Sequence, residues 1–170
     1  MPAMVRWVDG HKFDGAKLSA EQKDLRAFYG RLVRLSGEPA FREGELFPLN
    51  SANHDNAQFG RVGDESASGH WCYAFLRHDP KSRQSFLVIA NLHPKETLRN
   101  VRVRFSAEAL KFLHLPESDA KLEWTDRLAA EPASFAATQA ELRAGGRGIQ
   151  ERDQPAPRHP RPAPRDAQSG

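Results

Sequence analysis

The chain has 170 residues, 25 Lys+Arg against 22 Asp+Glu and a formal net charge of +3. That balance is too even to mark a nucleic-acid binder, although the sequence pI is about 9.2. No apolar run approaches the roughly 20 residues that span a bilayer. The first residues have no stretch that reads as a signal peptide, and the single cysteine, Cys72, excludes an internal disulfide framework and a multi-cysteine zinc site.

The apolar residues are unevenly spread. All 15 aromatic residues lie between Trp7 and Phe135, whereas residues 151–170 have no large apolar side chain and hold 5 of the 12 prolines. Residues 1–150 therefore read as one globular unit and the last stretch as a solvated tail.

Residues 1–18 read as an ordered loop carrying Trp7 and Phe13. Ser19 and Gln22 then have the S-x-x-Q spacing of a capping box, and Leu25, Phe28, Tyr29, Leu32, Val33 and Leu35 follow at helical spacing. The spacing predicts a helix over 20–36, closed by a left-handed Gly37 and stopped by Pro39. The wide apolar stripe asks for a substantial partner.

Beyond Pro39 the period changes to 2. Residues 46–49 read as a short strand with Pro48 at an edge or bulge, and residues 50–68 as a polar loop. Residues 71–76 and 86–92 read as strands joined into a hairpin by the polar turn 78–83. Val101, Val103 and Phe105 alternate with Arg102 and Arg104, which predicts a half-buried strand. Residues 107–114 suggest a helical turn, Leu122 and Trp124 a strand, and 135–142 lean towards strand. The expected fold is mainly β: one long N-terminal helix, then five or six strands in a small antiparallel β-sandwich.

No self-contained active site emerges. No pair of the seven histidines has His-x-x-x-His spacing, and the oxygen-rich segment Ser51–Asn56 lacks the closing Glu of a calcium loop. No serine sits in a G-x-S-x-G elbow, and Gly145-Gly146-Arg147-Gly148 follows no strand-to-helix frame, so it reads as a turn. Arg99, Arg102 and Arg104 read as the solvent side of a strand, Cys72 as a buried small hydrophobe, and Trp71 and Trp124 as core aromatics before sugar platforms. No metal and no cofactor is called for, and neither a nucleic acid nor a membrane is expected as a partner.

One stretch is familiar. Arg6-Trp7-Val8-Asp9-Gly10-His11-Lys12-Phe13-Asp14-Gly15, followed by Leu18-Ser19, Glu21-Gln22-Lys23, Leu25-Arg26 and Phe28-Tyr29-Gly30-Arg31-Leu32, resembles the end of the catalytic barrel in α-amylase-type enzymes of glycoside hydrolase family 13. Glu38-Pro39-Ala40-Phe41-Arg42-Glu43-Gly44 resembles that family's passage into its C-terminal β-domain. Residues 73–77 and 86–92 resemble the hairpin of that domain. The resemblance covers about residues 1–142.

It implies three parts: residues 1–38 as the last loop and helix of a (β/α)₈ barrel, 39–149 as a C-terminal all-β domain, and 150–170 as a disordered Pro/Arg-rich tail. It also implies carbohydrate metabolism, with α-glucans or malto-oligosaccharides bound through the rest of the barrel. Such enzymes retain configuration with an aspartate nucleophile, a glutamate acid/base and a further aspartate on barrel loops. None aligns with this chain, so catalytic residues are expected upstream of it. In that frame Trp7 lines a sugar subsite; the plainer reading is that it anchors its loop. The family's closing strand is not recognisable after Leu142, and its loss is the expectation. Helix 20–36 without a barrel and an unpaired sheet edge would both promote association and make the chain marginally stable. The rival readings are a non-catalytic carbohydrate-binding sandwich module with exposed coplanar aromatics, and an interaction module whose apolar helix face takes a partner or self-associates.

Overall fold

The computed structural model describes residues 18–131 and 133–145. The expectations for the Trp7 loop, the glycine cluster beyond Gly145 and the Pro/Arg-rich tail lie outside those residues. Helix α1 spans Ala20–Ser36 as expected. Its start is the capping box: the Ser19 hydroxyl accepts from the Gln22 N–H at 3.2 Å, and Gln22 Oε1 accepts from the Ser19 N–H at 2.9 Å. Its end differs from expectation. Gly37 is right-handed, with φ −81°. The chain continues its turn through a Glu38 N–H bond to Leu35 O at 3.0 Å. Pro39 then opens a second short helix, α2 (Pro39–Arg42), where its missing N–H is not needed.

Helix α2 is pinned to the hairpin. Ala40 is fully buried. Its N–H donates to Gln84 Oε1 at 3.0 Å, and its carbonyl accepts from Arg77 Nε at 2.8 Å. Arg77 Nη2 donates to Phe41 O at 2.8 Å, so one guanidinium satisfies two helix-end carbonyls. Gly44 is required by space: a Cβ there would lie 2.5 Å from Ala40 O and 2.7 Å from His78 O.

Strands β1 (Glu45–Pro48), β2 (Cys72–Asp79) and β3 (Gln84–Asn91) form an antiparallel sheet in the order β1-β2-β3. The hairpin is longer than the expected strands 71–76 and 86–92: His78 and Asp79 belong to β2. Asp79 lets the strand run to its end, because its carboxylate accepts from Lys81 N, Ser82 N and the Ser82 hydroxyl, closing the tight turn. β1 is an edge strand. Leu49 N donates to Ala74 O, so by alternation the Pro48 nitrogen faces away from β2, where no donor is missed. Strands β4 (Leu122–Thr125) and β5 (Ser134–Ala137) form a separate two-stranded antiparallel sheet. Helix α3 (Ala107–Phe112) starts at Ser106, whose hydroxyl accepts from Ala109 N.

Two strand expectations need correction. Residues 135–142 divide: β5 ends at Ala137 and helix α4 (Gln139–Arg143) begins after a Thr138–Glu141 capping box. Residues 101–105 alternate in burial as expected, with Val101, Val103 and Phe105 buried, but they form no strand. Arg102 N donates to Gln58 O at 2.9 Å and Phe105 N to Leu142 O at 3.0 Å, and side-chain amides bind the backbone groups between them. Asn53 Nδ2 donates to Leu49 O at 2.8 Å and Arg104 O at 2.9 Å, and Asn53 Oδ1 accepts from Arg104 N at 2.7 Å. Asn56 Nδ2 donates to Asn53 Oδ1 and to Arg102 O, both at 2.9 Å. The segment 50–68 is a loop, but it carries these amides and the fully buried Phe59 into the core. The core joins Leu49, Phe59, Cys72, Ala74 and Leu76 to Leu98, Val101, Phe105, Leu110 and Leu142.

Asn53→Ala would leave the Leu49 and Arg104 backbone groups without partners, at about 1–3 kcal/mol for each buried group left unpaired. We expect a loss of about 3 kcal/mol in urea unfolding, with exposed Ser51→Ala within about 0.5 kcal/mol of the parent. Equal, small losses for both would refute the latch.

Candidate functional site

Two apolar surfaces stand out. The first is the stripe of α1. Leu25, Tyr29, Leu32 and Val33 follow one another at helical spacing, yet they are 46%, 55%, 41% and 68% exposed. A helix normally buries such a stripe. Here Leu35 is the one buried residue of α1. Arg31 Nε ties the helix to Leu128 O at 2.7 Å.

The second is the outer face of the three-stranded sheet. Directly opposed residues share a face, and the register places Pro48, Phe75 and Val88 in one row and Tyr73 beside Ala90. Leu46 and Tyr73 are exposed. The end of this face at Arg77 and Phe86 lies under α2, where Phe41 packs on Phe86 with ring centroids 4.8 Å apart. The Tyr73 and Phe75 rings are 5.5 Å apart and inclined by 42°, not the coplanar pair of a sugar platform.

The other tryptophans are engaged. Trp71 is stacked on His70 at 4.1 Å and meets His93 edge-on at 4.5 Å, and Glu65 Oε1 sits 3.1 Å from His70 Nδ1. Trp124 lies parallel to Phe135 at 6.2 Å and edge-on to Phe105 at 6.1 Å. Trp7 lies outside the described residues. Of the arginine strip, Arg104 pairs with Asp55 at 3.1 Å. The oxygen-rich loop turns Asn53 and Asn56 inward, onto the backbone of Leu49, Arg102 and Arg104. Among the described residues no group of three or more His, Cys, Asp or Glu side chains is placed to hold a metal ion.

A Ser–His contact was not anticipated. The Ser85 hydroxyl lies 2.8 Å from Nδ1 of buried His78. It has no third member: the Asp79 carboxylate is spent on its own turn, and His78 Nε2 has no partner among the described residues. That leaves the imidazole unoriented for general-base work. The opposing residues His78 and Ser85 follow from the hairpin register, so an alignment of strands 72–79 and 84–91 could have found the pair. An open cleft of about 270 Å³ beside Arg61 and Arg99 is small and shallow for a substrate pocket, and Arg61 already donates to the Ser68 hydroxyl at 2.8 Å.

No family model, curated protein or solved structure matches this chain. Its functional reading therefore rests on its own residues.

Burial holds the His78 imidazole below its ordinary value of 6.5, and the nearby His114 pushes the same way. Unfolding frees His78 to take up a proton, so the unfolded chain binds more protons as the pH falls below that value. Stability should be full above about pH 6.5 and decline towards pH 5, by at most about 1.4 kcal/mol per pH unit for this one proton. The lowered carboxylates Glu65, Asp79 and Glu108 act at lower pH, since their ordinary values are 4.5, 3.8 and 4.5. His78→Leu should flatten the decline between pH 7 and 5 in urea titrations; an unchanged slope would assign it elsewhere.

Proposed function

We propose that this chain is the C-terminal portion of an α-amylase-type glycoside hydrolase of family 13, acting on α-glucans through a barrel that lies upstream. In this reading α1 is the last helix of the barrel, residues 39–149 form the sandwich-like β-domain, and the chain supplies no catalytic carboxylate. Trp7 would line a sugar subsite of the assembled barrel. The single observation that carries the reading is the exposed stripe Leu25, Tyr29, Leu32 and Val33: an outer barrel helix needs such a stripe to pack against its strands. The junction supports it, because Pro39, Ala40 and Gly44 of the resembling motif each have a structural task between helix and sheet.

The deciding experiment is to read the DNA upstream of Met1 and produce the longer polypeptide. We expect an open frame encoding a barrel with two aspartates and a glutamate, and retention of anomeric configuration on malto-oligosaccharides, lost when the nucleophilic aspartate becomes asparagine. A frame that stops before Met1, with a chain that neither cleaves nor binds malto-oligosaccharides at millimolar concentration, would overturn the proposal.

The same stripe also favours an interaction module. It separates from a core role in one variant: Leu25→Lys with Leu32→Lys should reduce association of the chain while leaving its unfolding free energy within about 0.5 kcal/mol. A large loss of stability would show that this face is buried by the chain itself.

A further inference from the structure

The two edges of the three-stranded sheet are unlike. The β1 edge is short, carries Glu45, ends in Pro48 and is continued by a side chain in place of backbone. There Asn50 Oδ1 accepts from Ala74 N and Asn50 Nδ2 donates to Cys72 O, both at 2.9 Å. These devices stop further strands from adding. The β3 edge has none of them. Gln84–Asn91 reads Gln-Ser-Phe-Leu-Val-Ile-Ala-Asn, with no charge, no proline and no glycine.

The ladder shows which groups of β3 are free. Leu92 N donates to Trp71 O at 2.8 Å. By the alternation of antiparallel strands, the even residues of β3 bond to β2, and the N–H and C=O groups of Ser85, Leu87, Ile89 and Asn91 point outward. Among the described residues no backbone group bonds to these four, and β3 pairs with β2 alone.

We infer that this edge pairs with the β3 edge of a second copy, antiparallel about a two-fold axis at Val88, to make one six-stranded sheet. The register is set by the strand itself. Two-fold symmetry keeps each face of the sheet on the same side, so the paired residue numbers must have an even sum. With Val88 opposite Val88, Leu87 meets Ile89 and Ser85 meets Asn91, and every outward N–H and C=O finds a partner. Centring on Leu87 would leave Asn91 unpaired. Apolar groups meet apolar groups, polar meets polar, and no like charges are opposed. Because the β1 edges are blunted, addition stops at two copies and the contact closes rather than growing into a fibre. This inference does not rest on the glycoside hydrolase reading, since it uses the strand edge and no residue of α1.

The test uses the full 170-residue chain. Even residues form the non-hydrogen-bonded pairs, whose Cα atoms lie about 4.5 Å apart, within disulfide reach. Val88→Cys should therefore yield a covalent dimer under mild oxidation, on a background where native Cys72 is buried. Phe86→Cys should not, because its counterpart stands four residues along the strand, about 13 Å away. In sedimentation the parent should show a reversible monomer–dimer equilibrium, and Val88→Lys should weaken it by about tenfold through opposed charges on an outward-facing position. The Val88→Cys cross-link stands independently should Val88→Lys fail to fold. A monomer at all concentrations, equal cross-linking at positions 86 and 88, or a dimer that Val88→Lys leaves intact while Leu25→Lys with Leu32→Lys dissolves it, would overturn the inference.

Discussion

Side-chain amides replace missing strands in this fold, and the rest of the structure depends on that substitution. The inner face of β2 is apolar through Cys72, Ala74 and Leu76, and something must cover it. The cover is the loop 50–68 and the extended segment 98–105, neither of which pairs as a strand. Their backbone groups are still buried and still need partners. Asn50 closes the end of β2, Asn53 spans Leu49 and Arg104, and Asn56 ties Asn53 to Arg102. Without those amides the loop and the segment would have to choose between solvating their backbones and burying Phe59 and Phe105. The amides remove that choice, so the core forms beneath irregular chain.

That solution has a consequence on the other side of the sheet. Both faces of β2 and β3 are rich in apolar residues, but the irregular cover protects one of them only. Helix α2 shields one end of the second face through Arg77 and Phe41, and Tyr73 and Leu46 remain exposed. A three-stranded sheet that is apolar on both faces is the pattern of a buried sheet. Together with the open stripe of α1, it leaves two apolar surfaces exposed among the described residues.

Much of the order of elements was legible in the sequence, and the failures have a common cause. The capping box of Ser19 and Gln22 fixed the start of α1, the apolar runs 71–76 and 86–92 located β2 and β3, and Leu122 and Trp124 located β4. For residues 101–105 the alternation reported burial correctly and pairing wrongly, because period 2 follows from an extended chain with one face inward, whichever group accepts its hydrogen bonds. The partners, Asn53 and Asn56, sit some 50 residues away in a segment that reads as ordinary polar loop. For 135–142 the missed signal was present: Thr138 and Glu141 have the spacing that marked α1. Gly37 fits a left-handed cap by type, but the early restart at Pro39 keeps the chain right-handed. Of the candidate site, only the apolar stripe was readable in advance. The sheet's second face needed the register, because it is built from three strands that are each unremarkable alone.

The junction between α1 and the sheet bears on what those surfaces can do. Glu38 accepts from Gln84 Nε2 at 2.6 Å and pairs with Arg127 at 3.1 Å. Arg77 and Gln84, one from each strand of the hairpin, grip Ala40, and Gly44 permits the close approach to His78. These contacts fix where α1 leaves the sheet within a few residues, whereas a flexible linker would let it wander. A partner that binds the exposed stripe of α1 therefore meets a helix already oriented, and loses less freedom on docking. The short helix α2 buries Ala40 and packs Phe41 on Phe86. It also sets orientation, which explains why two side chains, one from each strand of the hairpin, converge on the carbonyl and amide groups of Ala40 and Phe41.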